Sequence, residues 1–316
     1  MSVNVVNATM LRKIRTRPIN TISPVSNAIL HVVFILYALA CVLPLLLVIS
    51  VSLTSEQAIR VHGYTMWPTE FSLEAYRYLF KETRFVMNAY KVTAIATLCG
   101  AVLCVINVAL YAYPLSRKDF RFKTFFTFLS FFTMLFGGGL VPYYLVITKI
   151  LNLYDTLYVL FVPAAFSAFW VLVMRAFYKS QIPDEVIESA RIDGAGEWRT
   201  WLQIVIPLSI PGFATIGLFS TIGIWNDFFN CLLFTNKAEL QNLQYLIYSA
   251  LTKIQYLLSA ASTGNADSNL ALELSKLPLQ SFRMAMAVVT VGPIILAYPY
   301  FQRFFIKGLT IGAVKG

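Results

Sequence analysis

The chain has 316 residues, 58% hydrophobic and only 13% charged, with a net charge of +10. A soluble protein of this size carries about a quarter charged residues, and here the apolar residues are bunched into runs of roughly 20, enough to cross about 30 Å of hydrocarbon as helix. A transmembrane barrel, built from short alternating segments, is excluded. The fold class that follows is all-α: a polytopic membrane protein with six transmembrane helices and one structured cytosolic loop.

In chain order, residues 1–27 form a polar tail with Arg12, Lys13, Arg15 and Arg17 and no acid. A transmembrane domain over 28–312 follows, with spans at about 29–51, 86–115, 124–147, 157–177, 213–234 and 284–304. The first run is too long for a signal-peptide core, so it reads as an uncleaved span. Loop 53–86 holds a short expected helix from Leu73 to Phe80. The third span contains Gly137, Gly138 and Gly139, which permit close helix approach or a break. Loop 235–283 is the longest polar region. Its first part, Leu240 to Leu258, has apolar residues at helical spacing and reads as an interfacial helix. Ser259 to Asn269 is small and polar, a flexible stretch. Residues 313–316 form the C-tail.

Charge orients the spans. Fifteen of the 25 Lys and Arg lie in the N-tail, the 2–3 loop, the 4–5 loop and the C-tail. The other ten sit among nine of the 15 acids on the opposite side. Positive charge marks the cytosol, so both termini and residues 182–212 are expected there, with loops 53–86 and 235–283 outside. The same distribution argues against nucleic acid, because the basic surplus flanks spans.

Catalytic signatures are missing. Cys41, Cys99, Cys104 and Cys231 all lie in apolar runs, and His31 and His62 are too scattered for a metal site. The glycines at 137–139 lack the Lys-Ser/Thr of a phosphate-binding loop. No enzyme and no cofactor bound by this chain are expected.

The stretch 182–212 carries its own helix signals. Pro183 suits the first helical position, and Asp184 and Glu185 favour the positive helix end. At 100° per residue Val186, Ala190 and Ile187 fall at about 200°, 240° and 300°, one apolar stripe. Glu188 and Arg191 are three apart and positioned to pair. Gly194 and Gly196 stop the helix, one of them in the left-handed conformation. A second helix starts near Glu197, with Trp198, Trp201, Leu202 and Val205 on a stripe suited to the membrane interface, and Pro207 and Pro211 end it. Physics alone leaves two readings open: a helix that needs a partner groove, or a loop lying on the bilayer.

Glu188-Ser189-Ala190, Gly194 and Ile204-Val205-Ile206-Pro207 resemble the EAA signature of permease subunits of bacterial ABC importers. Ser189 replaces the middle alanine and Ile206 the usual leucine. Trp225-Asn226-Asp227-Phe228 and the ending Gly308 to Gly316 are similar to the carbohydrate-importer branch, with a maltose-permease-like fold. The segments Phe136 to Tyr144 and Gly292 to Gln302 resemble the subgroup handling complex oligosaccharides, such as alginate or pectin fragments. The resemblance implies a cytosolic ATPase dimer that carries ATP and magnesium, a second related permease, an extracytoplasmic sugar-binding protein, and a place in the bacterial cytoplasmic membrane. It implies a coupling helix that docks in an ATPase cleft, with Glu185, Glu188, Ala190, Arg191, Asp193, Gly194 and Pro207 as the coupling set.

For the solute path, Asp227 is the only carboxylate deep in an expected span, which marks a functional position by default. Trp225 and Asn226 offer stacking and hydrogen bonding to a sugar, as do Tyr143 and Tyr144. The alternative function is a secondary transporter or channel, which predicts internal repeats and paired intramembrane charges.

Overall fold

A computed structural model describes residues 23–80, 83–262 and 279–313. The basic N-tail positions, Lys315 and the part of Ser259–Asn269 beyond 262 lie outside these residues.

Helix α1 (Pro24–Ser52) opens with Ser23 accepting a hydrogen bond from the Ser26 amide and Pro24 in the first turn. Its side chains from Val25 to Leu46 are exposed. A bare helix this apolar needs lipid or another chain around it. Two short helices follow, α2 (Glu56–His62) and α3 (Glu74–Leu79), the second covering the expected 73–80 helix. Helix α4 (Thr83–Ser116) is the central element.

The third, fourth and fifth expected spans are broken. The third is α5 (Lys123–Leu135) and α6 (Leu140–Leu145), the latter continuing as a π-helical turn Val146–Ile150, with a bend of 113° between the two halves. Gly139 caps α6 at φ +84° and ψ 176°, a positive-φ extended conformation essentially confined to glycine that costs other residues about 1–3 kcal/mol. The fourth begins as a 3-10 turn (Leu157–Leu160), passes Pro163 in a turn, and becomes helical only in α7 (Ala168–Gln181). Pro163 lacks the amide that a helix needs and pushes its predecessor out of helical geometry.

The loop contains α8 (Asp184–Ile192) and α9 (Glu197–Leu208). The fifth expected span is α10 (Ile210–Trp225), a break at 226–228, then α11 (Phe229–Phe234). Helix α12 (Leu243–Ser262) covers the interfacial segment, and α13 (Leu279–Ala313) extends the last expected span at both ends. Among the described residues, α1 and α4 are each long and apolar enough to cross a membrane, and the pairs α5–α6 and α9–α10 qualify as bent units.

α4 packs against α7 and α10, and α13 lies along α1 and α10. The principal core joins Cys104, Val108, Ala112 and Leu115 of α4 to Val171, Met174 and Tyr178 of α7 and Ile216 of α10. It continues into Ile182, Ile187 and Val205. The loop is thus built onto the end of the helix bundle by its own buried side chains.

Candidate functional site: the 182–212 loop and a polar break at 226–230

Pro183 is the N-cap of α8 and not its first residue, with φ −61° and ψ 142°. Asp184 then opens the helix, and its carboxylate reaches Lys118 at 2.7 Å and Arg117 at 3.3 Å. The Lys118 hydrogen bond holds the Asp184 carboxyl below the usual carboxylate range, and Asp184 raises Lys118 in turn. The buried side of α8 is Ile187 and Ala190; Val186 is exposed, because the core beneath is met by Ile182 and Ile187 instead. Glu185, Glu188, Ser189 and Asp193 face outward, and Ile192 is 86% exposed.

Arg191 does not pair with Glu188. Its Nη1 bonds Asp119, and its Nε and Nη2 both reach Glu197 Oε1, at 3.2 and 2.7 Å. Two carboxylates reached from one fork satisfy the guanidinium better than a single neighbour three residues back. The Arg191 bond holds Asp119 below the usual carboxylate range, and the two acids raise Arg191. The helix ends in a Schellman motif: the Ala195 amide bonds the Ala190 carbonyl, the Gly194 amide bonds the Arg191 carbonyl, and Gly194 sits at φ +78°. Nothing lies within 4 Å of where its Cβ would be, so the glycine is required by backbone conformation alone.

In α9, Val205 is fully buried, Trp201 half-buried, and Trp198 and Leu202 exposed. The expected interfacial stripe is therefore split between core and surface. The two tryptophans meet edge to face at 5.9 Å. With Tyr113, Arg117, Asp119, Arg191 and Glu197 they border a cavity of about 370 Å³. Pro207 does not end the helix, which runs one residue further to Leu208. Residues Trp201–Val205 are wound as a wider π turn, which relieves the missing amide and the ring clash that proline brings one turn back. The chain then bends 75° at Ser209 into α10, with Pro211 in its first turn.

The second polar cluster sits where the fifth expected span breaks. Asp227 Oδ1 accepts from the Phe229 and Asn230 amides at 2.9 and 3.2 Å, and Oδ2 accepts from the Asn230 side chain. Tyr143 donates to Asn230 Oδ1 at 2.6 Å. Asn242 donates to the Asp227 carbonyl, and Gln244 to Asn226 Oδ1 at 3.0 Å. Beside them Phe228 and Tyr248 stack at 4.6 Å.

The chain matches a family model described as the binding-protein-dependent transport system inner membrane component over residues 23–311. It belongs to this family. A Bacillus subtilis (strain 168) relative, the polygalacturonan/rhamnogalacturonan transport system permease protein YtcP, is 35% identical over 89% of this chain and 95% of its own length. Protein LplC of the same strain is 34% identical over 87% of this chain and 90% of its own. Among solved structures, a chain of a bacterial ABC transporter involved in the import of the acidic polysaccharide alginate superposes with a TM-score of 0.74. It shares 26% identity and covers 89% of this chain and 96% of that one.

In this permease the sequence-selected residues separate into groups. Glu185, Glu188 and Asp193 lie on the outer side of α8, while Ala190 and Arg191 hold it from within. Gly194 shapes its end, and Pro207 is an exposed residue of α9. Tyr143, Asn226 and Asp227 converge on one cluster; Trp225 and Tyr144 do not. Trp225 is buried, with its indole donating to the Thr290 carbonyl at 3.2 Å. Tyr144 stacks on Phe234. Sequence reasoning missed Asn230, Asn242 and Gln244, and also Asp119, Glu197 and Tyr113. The Asp227–Asn230 spacing carries a helix-start signal; Glu197 is only six residues from Arg191 but lies across the turn between two helices, and the others come from segments distant in sequence and have none.

Proposed function

We propose that this chain is the transmembrane permease subunit of an ATP-driven importer of oligosaccharides, with α8 as its coupling helix. It takes solute from an external binding protein and passes it inward by alternating access. Partner ATPase subunits hold ATP and magnesium, and a second related permease completes the pore. The six-span arrangement in the bacterial cytoplasmic membrane puts both termini and 182–212 in the cytosol, as the Lys and Arg distribution supports. One observation carries the coupling reading: α8 is anchored in the core by Ile187 and Ala190 while Glu185, Glu188 and Ile192 stay bare. An anchored helix with an unpartnered face is what a groove on another protein receives.

The cargo reading rests on a relative whose name concerns polygalacturonan and rhamnogalacturonan and on a solved transporter of alginate. The solute path is proposed along Asn226, Asp227 and Tyr143, where a span break gathers carboxylate, amide and hydroxyl side chains, a set of donors and acceptors suited to hydroxyl-rich ligands. Within that proposal Trp225, bonded to the Thr290 carbonyl, and Tyr144, stacked on Phe234, are given packing roles.

The decisive experiment is Glu188→Lys in the reconstituted complex. Oligosaccharide uptake is expected to be abolished and co-purification of the ATPase lost. Normal uptake with the ATPase still bound refutes the coupling role of α8.

A further inference from the structure

A coupling helix does work only if its displacement reaches the spans. α8 is tied at both ends to one place, the end of α4 and the residues after it. At its first residue, Asp184 bonds Arg117 and Lys118. In its last turn, Arg191 bonds Asp119 and Glu197. Glu197 uses its second oxygen to accept the Tyr113 hydroxyl at 3.1 Å. Tyr113 belongs to α4 and is 9% exposed. Its ring meets Tyr178 edge to face at 6.1 Å, and the Tyr178 hydroxyl donates to the Ala109 carbonyl at 3.3 Å.

We propose that Asp119 and Tyr113 are positioning residues: through Arg191 and Glu197 they fasten α8 to α4, so that the two helices move as one body. The proposal rests on the reading of α8 as the ATPase-facing helix. Exposed ion pairs taken singly hold little. A guanidinium fork shared by two carboxylates, one of them also taken by a buried tyrosine, fixes direction as well as distance. The division of labour on α8 is then physical. Glu188 and Ile192 face the partner, and Arg191 faces the permease. α4 carries the motion the length of the domain, since its other end meets the 237–240 turn through Asn88, whose side chain donates to the Glu239 carbonyl at 2.7 Å.

The test uses the whole reconstituted transporter, with the four native cysteines replaced by serine. Asp119→Ala is expected to keep the ATPase bound and its basal hydrolysis intact while uptake falls about tenfold, within the range of about 5–150-fold typical of coupling. Tyr113→Phe removes only a hydroxyl, preserves the ring packing, and is expected to lower uptake about fivefold. The pair Asp119→Cys with Arg191→Cys is then joined by a short cleavable bis-maleimide. Joining is expected to restore uptake, and cleavage to abolish the gain. Wild-type uptake in both Asp119→Ala and Tyr113→Phe overturns the proposal, as does a crosslinked transporter that stays inactive. Loss of the ATPase from Asp119→Ala also overturns it, because the residue then acts in docking. An unaltered complex that retains no ATPase refutes the coupling reading itself, a separate result.

Discussion

Near Ser116, at one end of α4, the structure is held together by side chains paired with side chains: Asp184 with Arg117 and Lys118, Arg191 with Asp119 and Glu197. Near Asn88, at the other end, carboxylates take backbone amides in addition to side chains, Asp155 pairing also with Lys237 and Glu56 with Arg60. Asp155 accepts the Asn236 and Lys237 amides at 3.1 and 3.0 Å, and Glu56 accepts the Gln280 and Ser281 amides at 3.0 and 3.1 Å. A charged acceptor on a peptide N–H fixes the path of the chain. Two long side chains in contact fix where two surfaces meet, and salt screens them more than it screens a capped amide. The first end is the one proposed to dock a moving ATPase, and its links hold α8 and the end of α4 together as one body. The second joins segments far apart in sequence, and its links keep the backbone in register.

The largest expected effect lies at the amide-capped end. Glu56 holds the first turn of α13 through Gln280 and Ser281, and its side chain is only 11% exposed. Glu56→Ala strands those amides and is expected to cost about 1–3 kcal/mol. Thermal unfolding in detergent measures it. A smaller loss than in Asp184→Ala reverses the contrast between the two ends.

That contrast was only half visible in the sequence. Asp184 and Gly194 signal a helix start and stop, and the structure puts α8 between them with Gly194 left-handed. The Glu188–Arg191 pair was the wrong inference from correct spacing, because the nearest acids in sequence are not the nearest in space. Asp119 is 72 residues from Arg191 in sequence. Periodicity describes one helix at a time and does not see such a partner. The glycines at 137–139 allowed for the break at 136–139, but the breaks at 161–167 and 226–228 were hidden for another reason. Hydropathy averages over a window, so an apolar run reads as one span even where the chain leaves the helix, as it does around Pro163. The residues proposed for coupling were legible because their motif is local; the clamp proposed to hold them was not.

Asp227 offers an intermediate effect, because it combines the two kinds of link. It caps α11 through the Phe229 and Asn230 amides and also bonds the Asn230 side chain. Asp227→Ala removes the cap, at about 1 kcal/mol, and is expected to impair uptake while the complex stays assembled. Asp227→Asn retains a capping oxygen of about equal quality. If capping is its whole role, Asn restores uptake kinetics and Ala does not. If the charge itself serves the solute path, both variants transport poorly. Wild-type kinetics in Asp227→Ala removes the residue from the path.

The smallest effects come from solution conditions, and they separate the ends without mutation. Raising ionic strength from 0.1 to 1 M shortens the screening length from about 10 to about 3 Å. Hydrogen exchange of amides in 184–197 is expected to accelerate, while the Asn236, Lys237, Gln280 and Ser281 amides change little. Acid acts on both ends in the same direction. Asp119, Asp184 and Asp155 all sit below the ordinary carboxylate range, held there by Arg191, by Lys118 and by the Lys237 amide respectively. A group whose folded pKa is depressed contributes stability above its unfolded pKa, about 3.9 for Asp, and loses it as pH falls through the folded value. Between pH 8 and 5 neither end is expected to loosen. Protection that fades at 184–197 already near pH 6 means that some group other than these carboxylates controls the clamp.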